Sequence, residues 1–283
     1  MFKLGFIDYY LDEWHANNYP RFINDCVGDK IKVCYAYGQI PSLKSGKTSE
    51  EWCTEHSVEM CNTIEEVIEK SDGLIVLAPD NAEKKEELSE LALKSGKPLF
   101  IDKTFTSGYD SAKRMFDLAA EYNTPVYTTS ALRYAPDYKE INNSDVTAIN
   151  CIGPNDFDIY SIHMLEPLMS IMRTDAKKVM YTKSEGYYNL NIEFVDGRVG
   201  SISGFMYSRF PYMISVAGKT EYKAVKAEQP FWPGFTKELC EFFMDKEVKV
   251  DHRESLAIMA IRSAGLEAMS RQGEWVEVKE RSF

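Results

Sequence analysis

The run Gly73-Leu74-Ile75-Val76-Leu77-Ala78 constrains this chain more than any other stretch. It has no polar residue, shows no alternation, and is far too short to span a bilayer. A short run of that kind is a strand buried on both faces, and such strands belong to parallel sheets with helices on each side. The flanking sequence agrees. Thr63-Ile64-Glu65-Glu66 is a capping box that opens a helix ending near Lys70, and Pro79 ends the strand. Asn81 to Lys94 reads as an amphipathic helix, with Leu88, Leu91 and Ala92 on one face and Gly96 just past its end. Before this unit lie a strand at Lys3–Ile7, a helix from Asp12 to Cys26 and a strand at Ile31–Ala36. After it come a strand at Pro98–Ile101, a helix from Ser107 to Tyr122 and a strand at Pro125–Thr129. Strands alternating with helices of this length make βαβ units and a parallel sheet.

The pattern changes past residue 130. Asp145–Ile152 and a helix around Ile159–Met172 lead into strands at Lys178–Lys183, Tyr187–Val195, Arg198–Met206, Tyr212–Ala217 and Glu221–Ala227. Asp196-Gly197 between two alternating runs signals a hairpin. Helices at Pro233–Met244 and Ser255–Ser270 and a strand at Trp275–Val278 close the chain. Strands in meander order with segregated helices make an α+β unit on an open, mostly antiparallel sheet. The expected organisation is two domains, 1–130 and 131–283.

Charge excludes several partners. The 44 acidic residues outnumber the 33 basic ones, for a net charge of −11, so the basic footprint of a nucleic-acid binder is missing. An anionic membrane surface is disfavoured for the same reason. No stretch of 18 apolar residues exists, and Met1-Phe2-Lys3-Leu4-Gly5 lacks the layout of an export signal, so a cytoplasmic protein is expected. The cysteines at 26, 34, 53, 61, 151 and 240 form no C-x-x-C pair and are read as reduced, mostly core, thiols. No metal site is expected: His163-x-x-Glu166 puts two possible ligands on one helix face without further partners. His15, His56 and His252 are isolated in sequence, and Lys84-Lys85 with its acidic neighbours reads as a solvated helix face.

Four stretches, in this order, resemble the Gfo/Idh/MocA oxidoreductases, the family of glucose–fructose oxidoreductase and inositol dehydrogenase. Ser71 to Asn81 is similar to the family's fourth-strand signature, and Ala92 to Thr104 to its A-x-x-x-G-K-x-V-x-x-E-K-P stretch. Ala131-Leu132-Arg133-Tyr134-Ala135-Pro136 resembles its R-[FY]-x-P approach to the second domain, and Tyr160 to Glu166 its G-x-H-x-x-D helix. The resemblance spans nearly the whole chain. It implies a Rossmann-like first domain, NAD or NADP as cofactor, and hydride exchange with a sugar, polyol or related hydroxy compound. It implies His163 as general base and Lys103 beside the reacting hydroxyl; Tyr160 has two readings, a further hydroxyl at the catalytic site or a buried packing residue. Lys103, Tyr160 and His163 are the candidate substrate contacts, together with Trp232 of the aromatic loop Phe231-Trp232-Pro233-Gly234, which reads either as lining a sugar-sized pocket by stacking or as stapling the helix start. The implied cofactor contacts are Ile7, Asp8, Tyr9 and Tyr10 in the first turn, and Tyr37 after the second strand. Ala78, Pro79 and Asn81 after the fourth strand, Asp102 and Lys103 after the fifth, and Arg133 complete that set. Arg133 has two readings, a contact to an anionic group of the substrate or cofactor, or a salt bridge across the domain junction.

The departures from the family are equally specific. Where a G-x-G-x-x-G loop belongs, the chain has Asp8-Tyr9-Tyr10-Leu11-Asp12-Glu13, with side chains at all three glycine positions. Tyr10 fills the space where phosphate approaches the backbone, and Asp8, Asp12 and Glu13 bring negative charge to a helix N-terminus. These carboxylates are candidates to replace the phosphate as the anion of the helix end. The second strand ends Tyr35-Ala36-Tyr37-Gly38, with no acid for the ribose hydroxyls. The family's Asp one turn before the histidine is Ile159 here, and Asp158 points about 100° away around a helix. Two functions therefore stand: a nicotinamide-dependent oxidoreductase, or a redox-inactive relative. The relative would be a cofactor-free binding or regulatory protein, or an acid–base enzyme for a sugar-like ligand. The resemblance also implies a homodimer or homotetramer through the C-terminal sheet, with Tyr188, Leu190 and Ile192 as outward apolar positions alternating with Tyr187, Asn189 and Asn191.

Overall fold

A computed structural model of the protein describes residues 1–141, 145–207 and 209–283, with Glu140 described by its backbone alone. The chain forms two compact units, Met1–Thr129 with Thr236–Val250, and Ser130–Phe235 with Asp251–Phe283.

The first unit is built on strands β1 (Phe2–Asp8), β2 (Ile31–Gly38), β3 (Glu59–Met60), β4 (Gly73–Val76), β5 (Leu99–Ile101) and β6 (Val126–Tyr127). All pair in parallel, in the order β3-β2-β1-β4-β5-β6. Leu74, Ile75 and Val76 are fully buried, as a strand covered on both faces must be. The covering helices are α1 (Trp14–Val27), α2 (Ser49–His56), α3 (Ile64–Lys70), α4 (Lys85–Leu93) and α5 (Tyr109–Glu121). The region Asn81 to Lys94 begins with a 3-10 turn at Ala82–Lys84, and only then becomes α4. Neither α2 nor β3 is expected from periodicity. Helix α2 buries only Trp52 and Cys53, and is held by a capping box between Thr48 and Glu51. The segment Thr236–Val250, which holds most of α7 (Trp232–Asp245), belongs to this unit through its aromatic side chains. Phe242 lies 5.3 Å from the ring of Tyr127, and Phe243 lies 5.9 Å from that of Phe2.

The second unit has strands β7 (Val146–Pro154), β8 (Ala176–Ser184), β9 (Tyr187–Phe194), β10 (Val199–Phe205), β11 (Met213–Gly218), β12 (Tyr222–Lys226) and β13 (Trp275–Glu277). Their order is β12-β11-β7-β10-β9-β8-β13, with β7 and β10 parallel and the other described pairs antiparallel. The β9–β10 turn is the hairpin read from Asp196-Gly197, and Gly197 supplies its φ of +86°. Helices α6 (Phe157–Met172) and α8 (His252–Met269) cover one face of the sheet.

That cover corrects one expectation. Tyr188, Leu190 and Ile192 do not point outward; each is at most 1% exposed. Phe157 of α6 meets Tyr181 and Tyr188 edge-on at 5.7 and 5.6 Å. Period-two alternation tells which residues share a face, and the apolar face turned to the helices. The other face carries a polar ladder. Asn150 donates to Ser201 at 2.6 Å, Asn189 to Ser203 at 2.9 Å, and Tyr187 to Ser203 at 3.2 Å. A shallow groove of about 670 Å³ runs over it, lined by Asn150, Asn191, Ser201, Ser215, Tyr222 and Trp275, among others.

Helix α8 approaches α6 closely because Gly265 has no side chain: a Cβ there would sit 2.4 Å from the ring of Phe157. Gly265→Val should therefore cost about 1–3 kcal/mol by overpacking, read as a lowered urea midpoint with an unchanged slope.

Candidate functional site

In a sheet with this strand order, ligands bind beyond the carboxyl ends of the strands where the order reverses, between β1 and β4. Asp8 is the last residue of β1 and is 1% exposed. Its Oδ1 accepts a hydrogen bond of 2.9 Å from the N–H of Ala78, which follows β4, so the carboxyl reaches across the reversal point. Among the described residues its Oδ2 is buried with no hydrogen-bond partner. Burial pushes the Asp8 carboxyl up to about 8, against the opposing pull of the Ala78 N–H and Lys85. Glu13 is the N-cap of α1. Its Oε2 accepts from the N–H of His15 at 2.7 Å and its Oε1 from that of Ala16 at 2.5 Å. Glu13 is buried, and burial together with the nearby Asp8 raises its pKa well above the ordinary carboxylate range.

The end of β5 holds a second charged group. Asp102 is 1% exposed and accepts from the hydroxyl of Tyr19 at 2.9 Å. His15 Nδ1 lies 2.5 Å from Asp102 Oδ2 and 3.0 Å from the Tyr19 hydroxyl, and burial lowers the His15 pKa against the pull of that carboxylate. Burial raises Asp102, but His15, Lys85 and Lys103 more than offset it and hold the carboxyl at about 2. Lys85 overturns its reading as part of a solvated face. It is fully buried, and its Nζ donates to the backbone carbonyls of Asp102 at 2.6 Å, Lys103 at 3.2 Å and Thr104 at 3.2 Å. Burial lowers its pKa to about 8. It starts α4 after the irregular turn, so counting helical periods from Asn81 assigns it the wrong side. Lys103 is 7% exposed, with Nζ 3.4 Å from the carbonyl of Pro79. His15 is likewise tied to a buried carboxylate rather than isolated, and His56 stacks on Trp52 at 4.3 Å.

The remaining first-unit residues are less engaged. Ile7 is fully buried, and Tyr9 is half-buried beside Tyr10 with Lys84 5.3 Å over its ring. Tyr37 is half-buried near the end of β2. Ala78 is buried with a φ of +48°, and Asn81 donates to Glu83 at 2.9 Å. These residues do not fit a dinucleotide. The amide donors at the start of α1 bond to Glu13, Tyr10 is 4% exposed where a glycine would leave room, and no acid ends β2.

In the second unit, Asp156 caps α6 through the N–H of Ile159, placing His163 on the second turn. His163 Nδ1 and Ser130 Oγ are 2.7 Å apart. A continuous series of rings surrounds it: Tyr160 at 5.4 Å and Tyr212 at 5.8 Å, then Tyr212 to Phe231 at 6.4 Å and Phe231 to Trp232 at 5.6 Å. Tyr160, His163 and Trp232, far apart in sequence, thus belong to one cluster. Tyr212 and Ser130 are its unforeseen members, because strand β11 and the turn after β6 carry no motif. Arg133 bonds through Nε to Glu166 at 2.7 Å and through Nη2 to Glu254. Both carboxylates belong to the same unit as Arg133, so these salt bridges do not cross between the units as expected. Asp158 pairs with Arg262 of α8. Among the described residues no group of three or more His, Cys, Asp or Glu side chains is arranged to hold a metal, and no helix is long and apolar enough to cross a membrane.

No family model and no curated protein matches the chain. Solved structures do match in fold. GenD2 from gentamicin A biosynthesis, in complex with NAD, is 11% identical at a TM-score of 0.81, covering 98% of this chain and 97% of that one. A probable dehydrogenase from Thermotoga maritima is 13% identical at 0.80, covering 99% of both. A myo-inositol 2-dehydrogenase from Lactobacillus plantarum is 13% identical at 0.80, covering 98% and 99%. The chain therefore has the two-part α/β fold of these dehydrogenases, with a parallel Rossmann-like sheet and a mostly antiparallel one.

Between the ordinary carboxylate pKa and about 8, the folded protein keeps a proton on Asp8 that the unfolded chain has released. Stability should accordingly fall as pH rises through that window. Asp8→Asn removes the titration while keeping the oxygen that accepts from Ala78. Its denaturation midpoint should change less between pH 5 and 8 than that of the wild type, whose decline should be the steeper (window of roughly three to four units).

Proposed function

We propose that the protein binds a small polyhydroxy compound on its second unit, and that His163 exchanges a proton with one of the ligand's hydroxyls without a redox step. The observation that carries this reading is the ring series Tyr160–His163–Tyr212–Phe231–Trp232 with Ser130 at the imidazole. Aromatic faces suit the C–H faces of a sugar or cyclitol, while a histidine and hydroxyls suit its O–H groups. Ser130 engages Nδ1, which restrains the ring and separates the roles of its two nitrogens. Without the proton exchange, the same cluster would make a binding or regulatory protein for such a ligand.

A nicotinamide-dependent dehydrogenase of the Gfo/Idh/MocA type is the second reading. It is favoured by Lys103 and His163 at the positions that the resemblance implies, and by the dehydrogenase fold. The first-turn residues oppose it, so no step through a cofactor is derived.

Titration calorimetry with inositols, hexoses and linear polyols tests the primary reading. At least one should bind, and Trp232→Ala and His163→Ala should each weaken it by about tenfold, near 1.4 kcal/mol, with an unchanged melting temperature. If no compound of the panel binds, or if both variants bind as the wild type does, the ligand site lies elsewhere.

A second copy of the chain is the proposed partner, docked on the polar face of the C-terminal sheet. The Asn and Ser ladder there offers side-chain donors and acceptors that a copy of the same face complements around a two-fold axis. Sedimentation equilibrium at micromolar concentration should give twice or four times the chain mass; a single-chain mass would refute this.

A further inference from the structure

We infer that Glu13, supported by Asp8, is a built-in substitute for a dinucleotide's phosphate, and that the first unit is closed to NAD(H) and NADP(H). The inference concerns the first unit alone, so it stands or falls apart from the ligand proposed for the second.

Three observations converge on it. First, a helix N-terminus binds phosphate through its unpaired N–H groups. At α1 both Glu13 oxygens engage such donors, those of His15 and Ala16, and the carboxyl is part of the chain and buried. An incoming phosphate would have to expel that carboxyl from its partners.

Second, Asp8 spans the reversal point of the sheet. Its bond to the Ala78 N–H links the end of β1 to the segment after β4, across the crevice a pyrophosphate would follow. The other oxygen, Oδ2, is buried and among the described residues has no hydrogen-bond partner. Burial and the repulsion between them raise the pKa of both acids, so the site resists taking up further negative charge, and a phosphate would meet the same penalty.

Third, the cations of the neighbourhood have other contacts. Lys85 bonds to three carbonyls, Lys103 approaches the carbonyl of Pro79, and Lys44 is paired with Asp80 at 2.7 Å. Tyr10, 4% exposed, fills the volume that the middle glycine of a dinucleotide loop leaves empty.

The test uses the full chain. Titration with NADH and with NADPH to about 1 mM, followed by nicotinamide fluorescence and by thermal unfolding, should give no saturable change. Saturable binding of either, with Kd below about 0.1 mM, overturns the inference. Glu13→Ser then probes the cause. Serine caps a helix well but is too short to fill the site. Inorganic pyrophosphate at about 10 mM should leave the wild-type melting temperature unmoved and raise that of the folded variant by at least roughly 2 °C. A folded Glu13→Ser protein that pyrophosphate does not stabilise removes Glu13 as the occluding group. The wild-type titration decides closure of the unit even where the variant does not fold.

Discussion

Asp102 is a buried carboxylate, and much of the carboxyl end of the parallel sheet is organised to hold its charge. The hydroxyl of Tyr19, the imidazole of His15 and the ammonium groups of Lys85 and Lys103 face it from α1, α4 and the strand's own end. A buried charge is costly unless it is paired and hydrogen-bonded. The pairing therefore constrains the surrounding backbone. Lys85 holds the carbonyls of residues 102–104, and His15 and Tyr19 hold one face of α1 toward β5. With α1 so placed, its N-terminus lies beside the end of β1, and Glu13 and Asp8 complete the site.

The fold of a dehydrogenase and the site of one are thus separable here. Strand order and helix positions belong to the fold, and unrelated side chains can maintain them at 11–13% identity. The cofactor crevice is different, because backbone approach and free N–H groups are its function, and both depend on residues small enough to leave them open. Asp8, Tyr10 and Glu13 stand at the three glycine positions, and all three side chains are buried. The histidine cluster of the second unit is built on α6, β11 and the loop before α7, and it does not depend on those positions.

Element types were legible wherever a segment was long and periodic or wholly apolar. Gly73–Ala78, the Asp196-Gly197 hairpin and the two closing helices all appear in the structure within a few residues of their expected bounds. Short, polar elements were not legible: α2 depends on a cap and two buried side chains, and β3 has only two residues. The site was legible as residue types rather than as partners. Lys85 sits among acids and lysines in sequence, and only the 3-10 turn before α4 turns it inward. Arg133 was ambiguous because Glu254, one of its carboxylates, lies 121 residues away.

The sequence by itself determined the two sheet architectures and the side chains that occupy the turn after the first strand, because these are properties of local order. Tertiary structure alone decided which charges are buried together, which face of the second sheet is open, and where the chain from Thr236 to Val250 belongs. The physical reason is the same in each case. Burial and pairing depend on groups brought together from distant parts of the chain, and periodicity carries no information about which partner will meet which face. Glu13 joins both kinds of determination: its sequence position puts an acid at the start of a helix, and its fold leaves that acid buried on the helix's own amide groups.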